Sequence, residues 1–335
     1  MRKVKIAQIG TSRYSHGNEI FATLHKNSDV FEIAGYVMPE NEREKWPGNM
    51  VAFKDHKELT IEEVLNDPEI EAVTIEPEEK YLTKYAYLAA KAGKHIHMEK
   101  PGGCDCSEFE KMIEAVKESK KVFHTGYMYR YNPYIMRLME RIKAGELGEI
   151  ISVEAQMSGY HPKVQREWLS EYDGGILFFL GCHLIDLIYG IMGEPDEIIP
   201  LSRKTGTDGL TTTDFGMAAF TYKKGVSFAK TTDVEMGGFA RRQLVVTGTK
   251  GTVEIRPLEE HSRYPITTSF YREIKDTAWM ADVPFTETEI FDRYNEMLKS
   301  FAAMVRGEIE NPHSYDYELE LYKIIMEACG YGKFI

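Results

Sequence analysis

The sequence predicts a two-domain α/β protein: a doubly wound parallel sheet followed by an antiparallel or mixed sheet. Three observations carry this expectation. A length of 335 residues is long for a single core. The first 125 residues alternate short β-branched runs with helical segments. From about residue 150, longer strands succeed one another through glycine-containing turns, and the end of the chain returns to helix.

Taken in order, VKIAQI (4–9) is a strand closed by Gly10, a helix covers about 18–26, and EIAGYV (32–37) is the second strand. Thr60 and Glu63 form a capping box for a short helix ending near Asp67. Strand 71–75 leads to a helix at about 80–92 with Gly93 as its stop, then to strand HIHM (95–98). Ser107 and Glu110 read as a second capping box, opening a helix to about Ser119, and strand 122–126 completes the series. Such a sheet has right-handed crossovers and binds ligands beyond the C-terminal ends of its strands. Gly10, Met38, Glu76 and Lys100 stand at those ends.

In the second half, the strand-like stretches IISVEAQMSGY, FGMAAFTY, VSFAKTTDVEM, RQLVVTGT and GTVEIR follow one another. The KKG turn at 223–225 and the GTKG turn at 248–251 mark hairpins. Helices are expected at about 177–192, 287–306 and 315–328. The domains expected are 1–125 and 126–335, with the C-terminal helix able to pack back on the first.

The net charge of −12 argues against a nucleic-acid partner, whose phosphates need a basic surface. The four cysteines, Cys104, Cys106, Cys182 and Cys329, lack paired spacing, so neither a metal site nor a disulfide framework is suggested. The most apolar run, 176–193, contains His183 and Asp186. An aspartate costs about 2.5–3.5 kcal/mol at the centre of a membrane helix, so a buried helix is the better reading and no membrane partner is expected. The N-terminal apolar stretch is too short for a signal peptide, and the cytoplasm is the expected location.

Three stretches carry a resemblance: AYLAAKAGKHIHMEKP (86–101), GYMYRYNPYIMRLMERIKAGELGEI (126–150) and GGILFFLGCHLIDLIYGIMGEP (174–195). Together they resemble the glucose–fructose oxidoreductase / inositol dehydrogenase / rhizopine-catabolism (Gfo/Idh/MocA) family over nearly the whole chain. The resemblance implies an N-terminal Rossmann domain and a C-terminal α/β domain with a large open, mostly antiparallel sheet. It further implies NAD(P)-dependent oxidation or reduction of a carbinol on a sugar, polyol or related small molecule. A homodimer or homotetramer formed through the C-terminal sheet would follow.

Carried across, Lys100 is the lysine of the EKP motif, before a cis bond to Pro101, and His183 is the catalytic histidine. Hydride loss from an alcohol carbon requires a base for the hydroxyl proton, which a neutral imidazole supplies near neutral pH. The cofactor contacts implied are Gly10, Ser12, Ser15, Met38, Glu76, Pro77 and Glu99, with NAD slightly favoured over NADP. Tyr160, His161, Arg166, Trp168 and Phe179 are the expected substrate contacts, an aromatic platform with polar neighbours suited to a sugar ring. Asp186, Arg130 and Asn132 read as structural.

Several positions depart from the family pattern. Ser12 and Ser15 replace two of the three loop glycines, and Met38 replaces the acid that holds the ribose diol, with Glu40 two positions late. Glu76, Glu78 and Glu79 place carboxylates near a bound pyrophosphate, Tyr81 replaces a histidine, and Phe179 replaces the aspartate four residues before His183. Two alternatives therefore stand beside the oxidoreductase: an NAD-assisted glycosidase or lyase with recycled cofactor, and a catalytically silent ligand-binding homologue.

Overall fold

The computed structural model describes residues 2–275, 277–279 and 281–331. The chain divides into two compact units, Met1–Met128 with Tyr294–Tyr322, and Tyr129–Arg293 with Lys323–Ile335.

In the first unit the elements alternate as β1 (Val4–Ile9), α1 (Gly17–Lys26), β2 (Phe31–Val37), α2 (Glu42–Lys45), α3 (Ile61–Asn66), β3 (Ala72–Ile75), α4 (Glu79–Lys91), β4 (His95–Met98), α5 (Cys106–Ser119) and β5 (Phe123–Thr125). A 3-10 helix, Pro47–Phe53, follows α2. The five strands form one parallel sheet in the order β2-β1-β3-β4-β5. Every residue of β3 is buried, as expected of a central parallel strand covered on both faces. Thr60 accepts from Glu63 N while Glu63 accepts from Thr60 N, so the first capping box forms. The second does not form as read: α5 starts earlier, with Asp105 accepting from Glu108 N at 3.0 Å, and Ser107 donating to Asp105. Both Asp105/Glu108 and Ser107/Glu110 satisfy the spacing, and the ionised cap prevails because it accepts the orphan amide with a full charge.

In the second unit the elements are α6 (Pro133–Lys143), β6 (Ile150–Gln156), α7 (Lys163–Leu169), α8 (Cys182–Met192), β7 (Glu197–Pro200), β8 (Phe215–Tyr222), β9 (Gly225–Thr232), β10 (Gln243–Gly248), β11 (Gly251–Ile255), β12 (Glu260–Arg263), β13 (Ile266–Thr268), β14 (Phe270–Ile274), β15 (Thr286–Glu287) and β16 (Phe291–Asp292). Eight strands form one sheet, ordered β15-β14-β11-β10-β6-β9-β8-β7, with β12-β13-β16 as a small separate sheet. All neighbours in the large sheet run antiparallel except β6 and β9. Its two hairpins close on Tyr222–Gly225 and Gly248–Gly251, where the KKG and GTKG turns predict them. The apolar run from Ile176 is a buried helix: a π turn over Leu177–Gly181 continues into α8, which packs on β6 and β9. A Cβ on Gly216 would fall 2.6 Å from Leu177 Cβ, so the bare glycine of β8 lets this wide turn lie close. The helix expected at 287–306 spans only Asn295–Val305, because β15 and β16 first draw the preceding residues into ladders with β14 and β13.

Candidate active site

The C-terminal ends of β1, β3 and β4 carry the first unit's candidate residues. Gly10, at φ +88°, ends β1, and a Cβ there would lie 2.5 Å from Pro77 N. Only glycine allows the two loops this approach. Ser12 N donates to Glu76 O at 2.9 Å, binding the β1–α1 loop to the β3–α4 loop. The buried hydroxyls of Ser12 and Ser15 find no hydrogen-bond partner among the described residues. Met38 packs against the Phe21, Tyr36 and Phe53 cluster, and Glu40 is held by Lys84 at 2.6 Å and the Tyr85 hydroxyl at 2.7 Å.

The carboxylate that stands at the loop is neither of these. Glu42, fully buried on α2, accepts from Thr11 N at 2.7 Å and from Glu78 N at 3.2 Å. Sequence reasoning missed it, for nothing local pairs residues 31 and 36 positions apart.

Lys100, only 2% exposed, lies 3.3 Å from Glu99, and the bond to Pro101 is cis. The segment beyond is braced: Gly103 N donates to Thr83 Oγ1 at 2.7 Å, and Tyr322 OH to Gly103 O at 2.7 Å. Tyr322 also stacks on Phe109 at 3.9 Å. Glu76 is fully buried, with neither carboxyl oxygen hydrogen-bonded among the described residues and His97 Nε2 at 3.8 Å. Burial and then Glu99 hold its carboxyl well above the usual range, against the pull of Lys100. Burial likewise lifts Glu42 and Glu79 to about 7.

In the second unit, His183 is buried on α8 and meets the edge of Tyr129 at 5.5 Å. Tyr129 OH donates to Glu259 at 2.7 Å, where Arg242 and Arg293 donate at 2.9 and 2.8 Å. Burial alone would raise the Glu259 carboxyl, but the two guanidiniums keep it below its ordinary value. The π turn offsets the (i, i+4) geometry on which the Phe179–His183 comparison rests, and Phe179 packs edge-on against Trp168 at 5.1 Å. Asp186 forms a two-oxygen ion pair with Arg130, at 2.6 to 3.1 Å. Asn132 caps α6 and donates to Ser269.

The predicted substrate contacts differ in exposure. Tyr160 is 52% exposed, whereas Arg166 is fully buried, donates to His161 O at 3.1 Å and pairs with Asp208. Its Nη1 has no hydrogen-bond partner among the described residues. His161 N donates to Asp233 O at 2.8 Å. Neither Asp233 carboxyl oxygen has a hydrogen-bond partner among the described residues, nor do Ser158 Oγ and Gln156 Nε2. Burial and then Asp214 raise Asp233 to about 7, against Arg166. Buried polar atoms left this way call for a ligand or water. Asp233, Ser158 and Gln156 were missed; all three lie at the end of β6 or β9, where a strand-end rule applied to this sheet would have found them.

These shifts fix a pH dependence. The raised carboxyls keep in the fold protons that the unfolded chain releases near its ordinary 3.8 to 4.5. Their stabilisation is complete below that range and is lost as pH rises through about 7. His95 and His161, lowered to about 4, and His97, to about 3, act oppositely, removing stability as pH falls from 6.5. Between about 4.5 and 6.5 the two sets act in opposite directions. Above about 6.5 the histidines no longer compensate, and calorimetry is expected to show the melting temperature falling toward pH 8. A steady rise to pH 8 would contradict this.

Among the described residues, no three His, Cys, Asp or Glu side chains are placed to hold a metal, and no helix is long and apolar enough to cross a membrane. Residues 4–127 match an oxidoreductase family with an NAD-binding Rossmann fold, and residues 135–254 match the GFO/IDH/MocA C-terminal domain. The chain is 27% identical over 203 residues to scyllo-inositol 2-dehydrogenase (NADP(+)) IolW of Bacillus subtilis, covering 59% of this chain and 55% of that one. It is 30% identical over 144 residues to the uncharacterized oxidoreductase YhhX of Escherichia coli, covering 43% and 41%. The chain thus spans about half the length of these relatives. The aldose-aldose oxidoreductase of Caulobacter crescentus, solved with glycerol, superposes with a TM-score of 0.79 at 17% identity over 99% of each chain, which shows the shared fold. With both halves matched in order, the chain belongs to the GFO/IDH/MocA oxidoreductase family.

Proposed function

We propose that the protein is an NAD(P)-dependent oxidoreductase acting on a CH–OH group, or the matching ketone, of a sugar or polyol. The observation that carries this reading is Lys100, a buried ammonium at the end of β4 in a Rossmann unit of this family. Gly10's close approach to Pro77 and the unpartnered hydroxyls of Ser12 and Ser15 fit a nucleotide's phosphates, although Glu42 now holds one loop amide. A bound nicotinamide would accept or return the hydride. Lys100 orients the substrate hydroxyl, with Glu99 at 3.3 Å fixing the ammonium. His183, steadied by Tyr129, takes the hydroxyl proton in oxidation and returns it in reduction. Arg166 Nη1 and Asp233 serve the substrate's remaining hydroxyls, beside Tyr160, His161, Trp168 and Phe179. NAD rather than NADP, an assembly through the large sheet and a cytoplasmic location complete the proposal.

Titration with NADH and NADPH between pH 6 and 8, followed by turnover on a panel of aldoses and inositols, tests it. Micromolar binding with turnover is expected, and no binding of either nucleotide at millimolar concentration would overturn it. Glu42 on the loop amide favours the silent ligand-binding alternative, which that second outcome would select. Tightly co-purified nucleotide without net turnover would select the recycled-cofactor enzyme.

A further inference from the structure

Two non-glycine residues in the left-handed region, Glu40 at φ +55° and Asn41 at φ +57°, turn the chain sharply after β2. The turn brings residues 42–53 back across the β1–α1 loop. Three attachments hold this strap. Glu40 is tied to Lys84 and Tyr85 of α4. Asn49 donates to Thr11 Oγ1 and Ser12 O, both at 3.1 Å. The guanidinium of Arg13 sits 5.2 Å from the Trp46 ring. Between these ties, the two oxygens of Glu42 each accept one backbone amide, Thr11 N from the β1–α1 loop and Glu78 N from the β3–α4 loop.

Backbone amides of the loop after the first strand are where a Rossmann sheet receives the anionic part of its nucleotide. A carboxylate resembles a phosphate edge in charge and in offering two acceptor oxygens. Two anions cannot share the same donors, and the low dielectric of a buried site sharpens their repulsion.

We propose that Glu42 is a built-in competitor for the nucleotide's phosphates, so that the 42–53 strap must release the loop amides before a dinucleotide binds. This rests on the nucleotide-binding reading above and adds an internal control to it. A proton on Glu42 removes its charge and makes one oxygen a donor, which loosens the hold on the amides. Nucleotide binding is therefore coupled to proton uptake and tightens as pH falls. The charged and titratable groups that face Glu42 are Glu78 on the β3–α4 loop, Lys45 on its own helix and Tyr85 on α4. The β1–α1 loop and the 3-10 helix present the uncharged Thr11 and Asn49. Glu78 favours the protonated form of Glu42 and Lys45 opposes it, with burial already raising the carboxyl to about 7.

The test is NADH affinity by calorimetry at pH 6 and pH 8 for the unmodified protein, Glu42→Gln and Asn49→Ala, with thermal melts confirming that each variant folds. The unmodified protein is expected to bind about tenfold tighter at pH 6 than at pH 8. Glu42→Gln should bind about tenfold tighter than the unmodified protein at pH 8, with a smaller ratio between the two pH values. Asn49→Ala, which loosens the strap and leaves the carboxylate in place, should shift affinity in the same direction. If Glu42→Gln binds more weakly, as it would were Glu42 a ribose ligand, or if it leaves affinity and pH dependence unchanged, the competitor role falls and the oxidoreductase reading survives. If no form binds NADH or NADPH at either pH, both fall.

Discussion

Replacing Lys100 by methionine is expected to lower turnover by a factor on the order of 10²–10³, the range lost with a hydrogen-bond donor aimed at the reacting oxygen. The methionine keeps most of the buried stem, so the fold should still unfold cooperatively. Lys100 is the cation that opposes the raised values of Glu76 and Glu79, so its loss pushes both carboxyls higher. The variant should therefore lose more stability than the parent between pH 6.5 and 8. Lys100→Arg restores charge with a planar, forked group in place of a compact ammonium and should recover little activity. Steady-state kinetics on the same substrate panel decide it: a Lys100→Met turnover within about threefold of the parent would remove this residue from the chemistry, since a donor orienting the reacting oxygen is worth far more.

The largest stability effect is expected at Glu259. One buried carboxylate receives Tyr129, Arg242 and Arg293, and the two arginine side chains are 9% and 7% exposed. Glu259→Ala strands two poorly hydrated guanidiniums, and removing one partner of a buried ionic group costs about 3–5 kcal/mol. The same change releases the Tyr129 hydroxyl, and with it the ring that meets His183. Glu259→Gln retains an acceptor but no charge and should fall between the parent and Glu259→Ala. Denaturant unfolding measures the loss through the midpoint at constant slope. A loss below about 1 kcal/mol would mean the arginines regain water or a solution anion without the carboxylate.

What the sequence makes legible is what short spacing encodes. The five parallel strands, the Thr60 box and both hairpins follow from runs and turns a few residues long, and each forms. Lys100 is legible for the same reason, as a charge placed where a strand stops. The strap is not, because Glu42 meets Thr11 and Glu78 only after β2 and β3 have found their places beside β1. The parallel β6–β9 pair is hidden likewise, since each strand taken alone reads as one side of an antiparallel hairpin. Asp105 against Ser107 shows the opposite limit: two caps fit one rule, and the spacing alone does not rank them.

The wide turn at Leu177–Gly181 closes hydrogen bonds five residues apart, one more than a regular helix requires. Excising a single residue there would close an ordinary turn and leave the imidazole of His183 on the same side of its helix. Excising one between His183 and Asp186 would swing everything beyond by about 100° and part Asp186 from Arg130. This buried segment thus has one spot where a change of length keeps the helix beyond it in phase, at the cost of the core volume that Leu177, Phe178 and Phe179 fill.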